Sequence, residues 1–398
     1  MNAHPPSQHR GLFGRPVLTV TIALAALAGM GLGGVALANR GNSTTHWRQP
    51  SAAIAAPTSK TKSGTAASTP APGGKAATIT LSATGDVIMG SAPDRLPADD
   101  GAHFFDSVRG ALASDLVMGN LEQPITNDTG TSKCGSPARA HCFAFRSPPS
   151  YASHLKAAGF DLMNTANNHS RDFGAAGFHN TVDALTAAGL QYTGVEDQIT
   201  TVTVKGIKVA VIGFSPYAGA NNLNDLAHAR AVVQRAKQQA DLVVVQAHLG
   251  AEGTDRQHVK SGSEIYFGEN RGDPIAFTHA VIDAGADVVI AHGPHVLRGM
   301  QFYKGKLIAY SLGNFAGGGK TLSSDGVLKY GGVLHVTLTK DGAFAGGQFL
   351  STYLSSTGVP TRDSTGEKGR SLVASLSADD FGATAARIGR NGSISPPA

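Results

Sequence analysis

From Thr78 onward the chain repeats one pattern: a short apolar run rich in β-branched residues, then a segment with apolar residues three and four apart. The runs are ITLSA, DLVMG, FDLMNT, VAVIGF, DLVVVQ, DVVIA and LIAYSL, and their length and composition predict strands. Between them, residues 174–188, 225–240 and 273–284 have a helical period, with Asp225 and Asp273 placed where an N-terminal turn favours an acidic side chain. Alternating strand and helix predict an α/β domain over 78–355, with largely parallel sheet and helices on its faces. Beyond about Ser355 the sequence turns to Ser, Thr, Gly and Pro, which predicts a flexible tail over 356–398.

Polar residues stand at the ends of these runs. ITLSATG leads to Asp86, DLVMG to Asn120 and Glu122, and FDLMNTAN to Asn168 and His169; DLVVVQA leads to His248, and DVVIA to His292 and His295. The carboxyl ends of parallel strands line one edge of an α/β sheet, where ligands bind, so residues distant in sequence are expected to converge there. A single Asp or His after a strand is more often a turn or cap residue. Five strand ends loaded alike favour a site, because turn chemistry alone selects Gly, Asn and Ser over repeated imidazole and carboxylate. Oxygen donors mixed with imidazoles suit one or two divalent ions of Mn, Fe or Zn better than calcium.

The segments GDVIMG, GNLEQPIT, NTANNHSRDFG, HLGAEG, AHGPHVLRGM and IAYSLGNF resemble, in this order and spacing, the motif series of the CapA (PgsA-like) poly-γ-glutamate synthesis family, from about Thr78 to Tyr353. That family is similar to the calcineurin-like metallophosphoesterases. The resemblance implies a four-layer α/β sandwich of metallophosphoesterase type with a metal site. It implies Asp86, Asn168, His248, His292 and His295 as ligands, with His169 as the general acid beside the leaving group. The wider phosphoesterase pattern has Asp-x-His at the first strand and Gly-Asp at the second. This chain has Ile88 and Asn120 at those places, which leaves Glu122 as the nearest carboxylate to complete the ligand set.

Asn120, Arg171, Glu252 and Asn314 are the candidates for substrate contact. Glu252 either reaches the site or hydrates a loop. Arg171 and Asp172 bind an anionic substrate, orient His169 or form a surface ion pair, and Asn314 opens a Gly-rich stretch whose amides could face an anion or simply make a turn. The resemblance implies an anionic polymer or a phosphoester as substrate, with membrane-bound polymer synthase subunits as partners. An accessory subunit without catalysis is the rival reading.

The chain has 33 Lys and Arg against 28 Asp and Glu, but its first 77 residues hold seven basic residues and no acidic one. The remainder is slightly acidic, which disfavours a nucleic-acid partner. Residues 17–38 are uncharged and follow Arg10 and Arg15, near the ~20 residues that cross a bilayer. They serve as either a signal anchor or a cleaved signal peptide, with 1–16 as a basic cytoplasmic end and 39–77 as a disordered linker spanning on the order of 35 Å. The domain is thus expected at the outer face of the cell membrane, or secreted. That address permits a disulfide between Cys134 and Cys142, the only cysteines.

Overall fold

The computed structural model describes residues 77–398; the segments 1–16 and 17–38, and the linker 39–77 except its last residue, lie outside the described residues. Among the described residues no helix is long and apolar enough to cross a membrane.

The fold is mixed α/β, built on two large sheets. In the ten-stranded sheet, Thr78–Ile88, Leu116–Leu121, Leu162–Asn164 and Gln191–Thr193 run parallel side by side. On its other edge Thr78–Ile88 pairs antiparallel with Tyr330–Thr339, which pairs with Phe344–Leu354. This antiparallel half departs from the largely parallel expectation, because its Gly-rich, alternating strands lack the continuous apolar runs of the parallel half. In the seven-stranded sheet Ile207–Ser215, Leu242–His248, Val288–His292 and Lys306–Ala309 are parallel neighbours. A separate two-stranded hairpin pairs Ile265–Tyr266 with Glu269–Asn270.

Strand side chains alternate between faces, and each sheet buries both. Leu81, Met118 and Leu162 from the first sheet meet Val209, Val244 and Ile290 from the second in one core. On the far face of the second sheet, Val243, Val245 and Val289 pack on Val232 and Val233 of the helix Leu226–Lys237 and on Phe277 and Val281 of Pro274–Asp283. The outer face of the first sheet packs Val117 and Met163 against Leu155 and Leu185 of Tyr151–Ala158 and Gly174–Ala187. Each such burial contributes ~1.5–3 kcal/mol. The predicted N-termini form caps: Asp225 accepts from His228 N at 3.0 Å and Asp273 from Ala276 N at 2.9 Å, with Pro274 opening the helix.

The expectation of a flexible tail over 356–398 is corrected. Pro360–Arg362, Arg387–Ile388 and Ser393–Ser395 extend the first sheet, and the helix Lys368–Phe381 buries Gly369, Val373, Leu376 and Phe381. Val373 and Ile394 belong to the core between the sheets. Those helix positions follow a helical period that intervening Ser, Ala and Asp residues conceal.

Register carries this architecture to the site. Across the first sheet Asp86 stands beside Asn120, and Asn120 beside Asn164; across the second, His248 stands beside His292. An irregularity between Ala83 and Asp86 re-aims the strand end, and Gly85 is required there, since a Cβ would lie 1.8 Å from Gly313 O.

Candidate metal centre

Asp86, Glu122 and His295 each bring one ligand atom to a point where all lie within 4.8 Å of one another. His295 Nδ1 is 3.2 Å from Asp86 Oδ2, and its Nε2 is 3.6 Å from Glu122 Oε1. His248 Nε2 lies 3.7 Å from the same Glu122 oxygen. His295 holds a left-handed backbone at φ 58°, a conformation costly for a non-glycine residue and characteristic of functional sites.

The residues fit a divalent cation. Asp86 Oδ2, both Glu122 oxygens, Asn168 Oδ1, His248 Nε2 and His292 Nδ1 are buried without a hydrogen-bond partner. Buried polar atoms are normally satisfied, so lone pairs left vacant at one place are what a cation would use. The supporting contacts agree: Gln246 Oε1 is 3.2 Å from His292 Nε2 and Asn314 Oδ1 is 2.9 Å from His295 Nδ1, each orienting a ring. Gly293, at φ 108°, leaves room for His248, because a Cβ would sit 3.0 Å from its Nε2.

Electrostatics point the same way. Burial opposes ionisation of Asp86, but the close approach of His295 and the neighbouring imidazoles outweigh it and hold the carboxyl well below the usual range. Burial, with repulsion from Asp86 and Glu252, pushes Glu122 well above its ordinary value. Burial likewise opposes a charge on His295, yet Glu122 and Asp86 raise it well above a free imidazole. A proton held among two carboxylates thus occupies the place where a cation is chemically suited. Burial lowers His248 far below its ordinary value and His292 to about 4, so both are neutral, as ligands must be.

His169 stands beside these donors. Its Nδ1 is 2.8 Å from Asp172 Oδ2, and Asp172 Oδ1 is 2.6 Å from Lys133 Nζ. Lys133 precedes Cys134, which is joined to Cys142 with α-carbons 5.5 Å apart. A cleft of about 420 Å³ opens beside the centre, lined by Asn168, His169 and Glu252 together with Lys133, Tyr217 and Arg271.

The other candidates divide. Asn120 is fully buried; its Oδ1 accepts from Asn164 and Asn167 and its Nδ2 donates to Asp86 Oδ1, so it braces the site and does not face substrate. Asn314 is buried too, spending its amide on His295 and Leu328 O. Arg171 stacks over Phe178, 4.7 Å from the ring centroid, and does not line the cleft. Glu252 does line it, held by Arg271 at 2.9 Å. Arg271, Lys133, Asn164 and Asn167 escaped sequence reasoning. The two asparagines lie in the NTANNH stretch and Lys133 adjoins a cysteine, whereas nothing local marks Arg271.

The family model for bacterial capsule synthesis protein PGA_cap matches residues 80–318. The capsule biosynthesis protein CapA of Bacillus anthracis is 30% identical over 259 residues, 60% of this chain and 59% of that protein. The PGA biosynthesis protein CapA of Bacillus subtilis is 28% identical over 256 residues, 60% of this chain and 63% of that one. The match thus spans about three fifths of these curated relatives. A probable polyglutamine synthesis accessory protein of Mycobacterium tuberculosis is 29% identical over 230 residues, covering 51% of this chain and 55% of its own. Among solved structures, a putative 5'-nucleotidase from Staphylococcus aureus aligns over 75% of this chain and 58% of its own at TM-score 0.41 and 14% identity, too loosely to carry an argument. With more than half its length inside the family model, this chain belongs to the bacterial capsule synthesis PGA_cap family.

Proposed function

We propose that the protein is an extracytoplasmic, CapA-like component of poly-γ-glutamate capsule synthesis or export whose metal centre supports hydrolysis of a γ-glutamyl or phosphoester bond. The observation that carries this reading is the cluster of Asp86, Glu122 and His295, with His248 against Glu122, whose carboxylate oxygens and imidazole are buried without partners beside an open cleft. The two sheets flanked by helices support a metallophosphoesterase-type four-layer sandwich. The Cys134–Cys142 disulfide supports a place outside the cytoplasm, with residues 17–38 as anchor or cleaved signal.

One or two ions of Mn, Fe or Zn, when bound, supply Lewis-acid polarisation and a nucleophile at neutral pH. Asp86, Glu122, His295, His248, His292 and Asn168 are the residues that would hold them. Asp172 accepts from His169 Nδ1, which fixes the ring and leaves Nε2 to exchange a proton with the leaving group. Burial depresses the imidazolium of His169 and Asp172 offsets part of that loss. His169→Ala is expected to keep the metal and cut turnover of poly-γ-glutamate or an aryl phosphate by roughly 10² to 10⁴.

A second reading, an accessory subunit that binds the polymer or membrane-bound synthase components without turnover, is favoured by Asn120. Its amide is wholly committed to hydrogen bonds and gives the centre no second-strand carboxylate at that position. Metal-replete protein that hydrolyses neither substrate, with polymer production surviving His169→Ala in cells, would decide for it.

A further inference from the structure

Among the described residues, the large apolar side chains left exposed are Phe143, Ile265 and Phe267, at 63%, 53% and 87%. All three lie on two segments. Phe143 follows the disulfide-closed loop and the other two belong to the hairpin of Ile265–Tyr266 and Glu269–Asn270, and both phenylalanines line the cleft beside the metal centre.

Phe267 breaks two local rules. It sits in the two-residue hairpin turn with Gly268, at φ 47° beside φ 82°, where Asn, Asp or Gly is the favoured residue. Its ring gains no burial in return. A residue unfavourable in both backbone and solvation, on a surface loop at a site, points to a contact made with a ligand. The hairpin is not loose: Glu264 at its base accepts from the buried Arg298 at 3.0 and 2.8 Å and from Ala251 N at 2.7 Å, so the exposed tip rides on a half-buried ion pair.

Cations interleave with these rings. Lys133 just before the disulfide loop and Arg139 within it line the same cleft. Arg271 lies between Tyr217 and Tyr266, 5.4 and 5.3 Å from their centroids; its Nη2 and Nε already meet Glu252 and Glu269 at 2.9 and 3.0 Å, and its Nη1 alone is buried without a hydrogen-bond partner. A buried N–H with nothing to donate to is an independent sign that the cleft takes an anionic oxygen.

We propose that the disulfide loop and the hairpin are two jaws of a clamp for a flexible chain whose carboxylates are joined by largely apolar spacers, Phe143 and Phe267 packing on the spacers while Arg139 and the Nη1 edge of Arg271 take the carboxylates. Poly-γ-glutamate has this chemistry, with methylene groups and an amide between its carboxylate-bearing carbons, and to that extent the clamp rests on the function proposed above. Continuity of both rings with the cleft that reaches His169 favours a threaded chain over a flat lipid surface.

The test is binding of end-labelled poly-γ-glutamate to the full chain by fluorescence anisotropy, for wild type, Phe267→Asn and Phe143→Ser, with thermal melting alongside. Phe267→Asn relieves the turn, so a merely structural role predicts unchanged binding and equal or higher melting temperature. The clamp predicts that same melting behaviour with affinity reduced about tenfold. Wild-type binding that neither variant weakens would overturn the clamp and leave the proposed function standing. Failure of wild type to bind the polymer would sink both the clamp and the polymer reading of the site. Phenylalanine-dependent binding to phosphatidylglycerol vesicles in place of polymer would make the tips a membrane contact and overturn the clamp.

Discussion

Lys133 Nζ lies 2.6 Å from Asp172 Oδ1, so a lysine adjoining the disulfide loop and the imidazole of His169 share one buried carboxylate. Asp172→Asn removes the charge that fixes the ring while leaving every proposed metal donor in place. We predict unchanged metal content and a turnover loss on the order of 10² or more, measured by single-turnover kinetics beside metal analysis.

Gly293→Ala tests the space reserved for His248. The added methyl would lie 3.0 Å from Nε2 on a residue already at φ 108°. Metal affinity should fall roughly 10- to 100-fold, as for other displaced ligands, in a metal titration of the folded variant. Unchanged affinity would remove His248 from the ligand set.

The metal-free protein should lose stability as pH falls from 6.5 towards 4.5. Burial lowers His169, His248 and His292, so over this range the unfolded chain binds up to three protons that the native chain refuses. Glu122, raised by burial, opposes this by holding one proton natively. Asp86, depressed, is ionised and His295, raised, is protonated in the native state throughout the window, and neither reverses the sign. The net excess in the unfolded state is at most two protons, reached in the lower part of the window, which corresponds to at most roughly 2–3 kcal/mol per pH unit. Denaturant titrations in chelator at several pH values measure this slope, and a flat or inverted profile contradicts it.

The C-terminal helix is expected to be integral to the fold. Leu376 is buried in it, and Leu376→Ala should cost roughly 2–5 kcal/mol in a denaturant titration. Removal of residues 356–398 should abolish cooperative unfolding, since Val373 and Ile394 complete the core between the sheets.

The parallel strands and the helices with acidic caps were legible in the sequence because period and capping are local signals. Asp86, His248 and His292 could be picked out because each ends an apolar run. The roles of Asn120 and Asn314 were not legible: each follows an apolar run just as a ligand does, and only the three-dimensional partners show that their amides are already committed. Arg271 was invisible for the opposite reason, since its neighbours Glu252, Tyr217 and Tyr266 come together only through folding. The helix Lys368–Phe381 was hidden by composition, its apolar stripe being interrupted by small polar residues.

The central claim, that these strand ends hold a divalent cation, is tested most directly by equilibrium dialysis of chelator-stripped protein against Mn, Fe and Zn, followed by elemental analysis. The account predicts one or two ions bound by the wild type and by His169→Ala, and loss of bound metal in His248→Ala. Wild-type protein that retains no ion, or His248→Ala protein that retains as much as wild type, would contradict it.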